Sequence, residues 1–92
     1  MTIDMQTRLA LDPAARFRRV GDEGVVVQQS SAEVLVVNDT AARLIELSNG
    51  VRTIGDCAGL IEADYGAQHA VIERDLLQFA EQLVAAGVAK IA

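Results

Sequence analysis

The stretch Glu33-Val34-Leu35-Val36-Val37-Asn38-Asp39-Thr40-Ala41-Ala42-Arg43-Leu44-Ile45-Glu46-Leu47-Ser48 decides the fold, because the period of its side chains changes in the middle. Up to Val37 it is a β-branched run that reads as a strand. From Asn38 onward Ala41, Leu44, Ile45 and Ser48 fall on one side of a helix, with Leu47 at its border. Asn38 or Thr40 can cap the first N–H groups, and Asn49-Gly50 supplies a stop.

Upstream, Arg16-Phe17-Arg18-Arg19-Val20 alternates charge with apolar side chains, and Val25-Val26-Val27-Gln28-Gln29 is a second β-branched run. Turns at Gly21-Asp22-Glu23-Gly24 and Ser30-Ser31-Ala32 separate the three runs, so an antiparallel meander is predicted with the first and third strands as edges. Downstream, Thr53 opens a second helix with Asp56 three residues on, Ile54, Cys57, Leu60 and Ile61 form its apolar stripe, and Tyr65-Gly66 closes it. Gly55 and Gly59 make this helix intrinsically poor, so tertiary contacts or a close neighbour must hold it. The third helix runs from about Ala70 to Ala86, with a core stripe of Ile72, Leu76, Phe79 and Leu83 and a stop at Gly87. Val88 to Ile91 is extended and can close the fold as a short strand, whereas residues 1–15 show no period and read as a mobile lead-in with a turn at Asp12-Pro13. The expected fold class is α+β: a three-stranded antiparallel sheet followed by three helices, one domain over residues 16–92.

Composition removes many functions. One Cys and one His in 92 residues cannot form a dedicated zinc or iron–sulfur site, and one Cys cannot form an internal disulfide. A formal charge of −5 opposes general nucleic-acid binding. No apolar run approaches the length of a membrane span, and Met1 to Pro13, with Asp4 and Asp12, does not read as a signal peptide. A cytoplasmic domain without cofactor or metal is expected.

Two features stand out. Val34 to Val37 carries no charge on either face, although edge strands are usually protected by Lys, Pro, a bulge or a cover. Such an edge can accept a foreign strand, be covered by the protein's own helices, or pair in a homodimer. The third helix also has a wide apolar face: Leu77, Ala80 and Val84, bordered by Arg74 and Glu81, lie beside the core stripe. This second stripe is either one wall of a groove opposite the third strand or the far side of a helix buried between two layers.

The remaining candidates are weaker. Cys57 lies on an apolar helix side and reads as a small core residue; His69 reads as a solvated turn residue. No nucleophile–base pair, carboxylate dyad or phosphate-binding glycine motif is present, so no enzyme activity is expected. A helix-turn-helix reading would make Thr53 to Tyr65 the recognition helix, but that segment holds Asp56, Glu62 and Asp64 and no Lys or Arg.

The ordered series Val37-Asn38-Asp39-Thr40-Ala41-Ala42, the helical apolar positions to Gly50, Arg52-Thr53-Ile54, and Asp75-Leu76-Leu77-Gln78-Phe79 with Leu83 and Gly87-Val88 resembles the PqqD-like family over about residues 16–91. The resemblance implies three strands then three helices, akin to a winged helix-turn-helix. It also implies a peptide chaperone, the recognition element for ribosomally made, post-translationally modified peptides. Such modules hold the leader of a precursor peptide and present it to a maturation enzyme, often a radical SAM enzyme. The family adds the leader as a strand beside the third strand, in a cleft against the third helix. Carried over, the site is Val34, Leu35, Val36 and Val37, with Arg74, Leu77, Ala80, Glu81 and Val84 as the helix wall. Proteins of the pyrroloquinoline quinone pathway usually carry an aromatic- and proline-containing stretch before the third strand. Val27-Gln28-Gln29-Ser30-Ser31 stands here instead, so the resemblance points to the type of module rather than to one pathway. The expected partners are a precursor peptide and a maturation enzyme, without nucleic acid or membrane, for a monomer or weak homodimer. The alternative is a small homodimeric structural or regulatory winged-helix module, with DNA as a further partner.

Overall fold

A computed structural model describes residues 2–66 and 68–92. The chain is α+β, with strands β1 (Arg8–Leu11), β2 (Ala15–Val20), β3 (Glu23–Gln28) and β4 (Glu33–Val37), then helix α1 (Asp39–Leu47) and strand β5 (Asn49–Thr53). Helices α2 (Ile54–Tyr65) and α3 (His69–Ala85) and strand β6 (Ala89–Ile91) complete it. The meander is an antiparallel sheet in the order β2-β3-β4, with Val26 opposite Leu35 and Val25 opposite Val36.

A second antiparallel sheet, in the order β5-β1-β6, differs from the sequence-based expectation. Residues 8–11, expected within a mobile lead-in, form its central strand, and Leu9 is 1% exposed in the core. Asn49-Gly50 does end α1, but the chain then pairs at once with β1, setting Ala10 opposite Asn49 and Arg8 opposite Thr53. These strands are short, and β5 is polar; cross-strand partners distant in sequence hold them, and local propensity does not announce them. The closing strand is present, with Leu9 opposite Ile91.

The lead-in also supplies a helix end. The first N–H groups of α2 need acceptors outside the helix. Ile54 N–H donates to the Thr7 carbonyl at 2.9 Å and Gly55 N–H to the Met5 carbonyl at 2.8 Å. A Cβ on Gly55 would stand 3.2 Å from that Met5 oxygen, so this helix glycine marks a close approach. Thr53 and Asp56 form a reciprocal capping box, each accepting the other's backbone N–H at 3.0 Å. The buried stripe of α2 is Ile54, Cys57, Ala58 and Ile61; Leu60, expected in it, is 43% exposed. Those four positions are i, i+3, i+4 and i+7, and Leu60 lies off that line.

Asn38 caps α1, its side-chain oxygen accepting from Ala41 N–H at 2.9 Å. Arg19 on β2 then fastens the sheet to α1, donating to Asp39 and, at 2.8 Å, to Glu46. Arg43 continues the network to Asp64 of α2 at 3.1 Å. The core between these elements is aliphatic, with Leu44, Ile54, Ile61, Leu76, Val26 and Val88 fully buried.

Candidate functional site

β4 pairs with β3 along one side, and its other side has no strand partner among the described residues. Alternation along the strand turns Leu35 and Val37 inward, half-buried, and leaves Val34 and Val36 63% and 61% exposed on the outer face. The uncharged edge predicted from the sequence is therefore a true sheet edge, and α3 does not cover it completely.

Between the edge and α3 lies a groove of about 210 Å³. Leu35, Val36, Val37 and Asn38 form one wall, Phe79, Gln82 and Leu83 of α3 form the other, and Ala41 of α1 contributes to the lining. No charged side chain lines it. The only polar side chains of the lining are the amides of Asn38 and Gln82, and the Asn38 oxygen is engaged in the α1 cap.

All four predicted strand residues lie on β4, and Leu35, Val36 and Val37 belong to this lining while Val34 does not. The expected helix-wall residues Arg74, Leu77, Ala80, Glu81 and Val84 do not line this groove. Ala80 is fully buried, Leu77 and Val84 pack half-buried against the core, Glu81 is exposed, and Arg74 is exposed with its nearest carboxylate the adjacent Asp75 at 3.5 Å. At 100° per residue these five sit about a quarter turn or more from Phe79. α3 packs against α2, β6 and α1. Phe79, expected in the core stripe, is half-buried at the groove. Asn38, Ala41, Gln82 and Leu83 were not singled out as site residues. The only sequence signal for this wall was one of the chain's two phenylalanines on a helix already well supplied with aliphatic core residues.

Among the described residues, Cys57 and His69 lie apart from the groove. Burial raises the pKa of the Cys57 thiol, the opposite of what a nucleophilic cysteine needs. His69 opens α3 and joins Glu62 at 2.7 Å and Glu73 at 3.0 Å. No cluster of three or more His, Cys, Asp or Glu suited to a metal occurs among the described residues. Among them, no helix is long and apolar enough to cross a membrane.

Fold and groove together define a class: a small α+β module with no assembled reaction centre among its described residues and an open strand edge facing a helix. The chain belongs to the PqqD family, matching coenzyme PQQ synthesis protein D over residues 23–89. In fold it is similar to TbiB1, solved in complex with the TbiA(beta) leader peptide, at a TM-score of 0.78 and 18% identity, covering 88% of this chain and 94% of that one. No curated protein matches the chain.

Proposed function

We propose that this chain binds the leader segment of a ribosomally made precursor peptide by strand addition at β4 and presents it, in the cytoplasm, to a maturation enzyme such as a radical SAM enzyme. The observation that carries this reading is the unpaired, uncharged edge Val34–Val37 facing an apolar groove. Membership of the PqqD family and the leader complex of TbiB1 support it. Backbone groups of β4 supply register and affinity, while alternate peptide side chains enter the groove against Phe79 and Leu83. Because the lining is uncharged, the peptide's inward positions are apolar, and Arg74 is not needed to attract carboxylates. The module performs no chemistry of its own in this reading; the partner enzyme does.

Calorimetry with the leader segments of candidate precursor peptides, sought among the coding neighbours of this chain, tests the proposal. Phe79→Asp, checked for helicity by circular dichroism, is expected to weaken binding by about tenfold or more, on the order of 1.4 kcal/mol. If Arg74→Ala and Glu81→Ala weaken binding and Phe79→Asp does not, the site lies on the opposite face of α3. If the native chain binds no leader and light scattering shows a dimer, the edge serves self-association instead.

A further inference from the structure

Gln28 is the buried polar side chain of the core, 5% exposed, at the end of β3 opposite Glu33, the first residue of β4. Its amide is fully used. Nε2 donates to the Gly87 carbonyl at 2.8 Å and to Asp12 Oδ1 at 3.3 Å. Oε1 accepts from the Ser30 N–H at 3.2 Å and from Ser30 Oγ at 2.9 Å. Gly87 follows the C-terminus of α3, Ser30 lies in the turn that leads into β4, and Asp12 lies between β1 and β2. Asp12 is itself anchored: its carboxylate accepts from Ala14 N–H at 2.9 Å and its N–H donates to the Val88 carbonyl at 2.9 Å.

The groove has two walls, β4 and α3, joined by no backbone ladder. One buried amide holds the approach to the first and the exit from the second. We propose that Gln28 is a positioning residue for the groove, setting the spacing of β4 and α3 so that an extended peptide fits between Leu35 and Phe79. The significance for binding rests on the peptide-binding reading; the claim about spacing stands on the free protein. A buried amide with all its partners in place fixes position, because any displacement leaves a backbone carbonyl or N–H unpaired out of water. Packing side chains such as Leu35 or Phe79 belong to one wall each, whereas Gln28 is hydrogen-bonded to the turn before β4 and to the residue pair that follows α3.

The test compares Gln28→Leu and Gln28→Glu with Ile61→Val, which trims the core from α2, outside the groove lining. Glu keeps the acceptor for Ser30 and loses the donor to Gly87; Leu loses both. Both Gln28 variants are expected to shift the backbone amide resonances of 35–38 and 79–83 in the free protein and to weaken the same leader peptide by about tenfold. Ile61→Val is expected to lower the melting temperature and do neither. Should the Gln28 variants fail to fold, Ser30→Ala removes the Oγ bond to Gln28 Oε1, keeps the backbone N–H bond, and so weakens the link to β4 alone; it is expected to move the resonances of 35–38 with a loss of about threefold. If the resonances and the affinity stay unchanged while the melting temperature falls, Gln28 stabilises the fold without positioning the groove. If the native chain binds no leader, the peptide-binding reading falls, and the resonances of the free variants still decide the spacing.

Discussion

His69 shows what a single side chain adds at the junction of α2 and α3. Its ring nitrogens face Glu62 of α2 and Glu73 one turn along α3, and these two carboxylates hold the imidazolium above the ordinary histidine pKa near 6.5, Glu62 more strongly. A raised pKa in the folded chain means the charged pair stabilises fully below the unfolded value, and this stabilisation is lost as pH rises through the folded value. The imidazole is largely exposed, so the effect on global stability is small. A proton NMR titration is expected to place the His69 midpoint above 6.5 and to lower it in Glu62→Gln. An unchanged midpoint in that variant would remove the junction pairing. At this scale the sequence was legible wherever the partner was close in the chain. Asn38 with Ala41, and Thr53 with Asp56, are three residues apart; the Thr53 cap formed as read, and of the two candidates Asn38 and Thr40 it is Asn38 that caps α1. The choice between Leu77 and Phe79 for the groove wall was not legible, because both are apolar on one helix and only its neighbours distinguish the faces.

Among the elements, α2 depends most on its ends. Two internal glycines weaken it, and its N-terminus is held by the capping box and by carbonyls of residues 5 and 7. Thr53→Ala is expected to cost about 1 kcal/mol in urea unfolding, with an unchanged slope. A loss below a few tenths would mean that the lead-in carbonyls alone hold that end. The strands divide by the same logic. β2 alternates charged and apolar side chains, β3 and β4 carry β-branched runs, and local turns separate them, so all three are located without knowledge of the fold. β1 and β5 are held by each other across some forty residues of chain, and neither carries a local signal of comparable strength.

For the molecule as a whole, the N-terminal residues are part of the core. Leu9 is 1% exposed, β1 is the centre of its sheet, and Asp12 reaches Gln28 and Val88. The family match begins only at residue 23, yet a chain starting at residue 13 is expected to lose its cooperative thermal transition. Leu9→Ala alone is expected to cost about 2–5 kcal/mol. A sharp, native-like melt of the truncated chain would show that β5 and β6 pair without β1. By itself the sequence determined the order of β2, β3, β4, α1, α2 and α3, the capping residues of α2, and the uncharged edge at Val34–Val37, because each depends on residues near one another in the chain. Only the tertiary structure decided that the lead-in becomes a central strand, which face of α3 meets the edge, and that the Gln28 amide bonds both Ser30 and Gly87. Those depend on contacts between segments far apart in sequence, where an apolar or polar side chain has many possible partners and packing selects one.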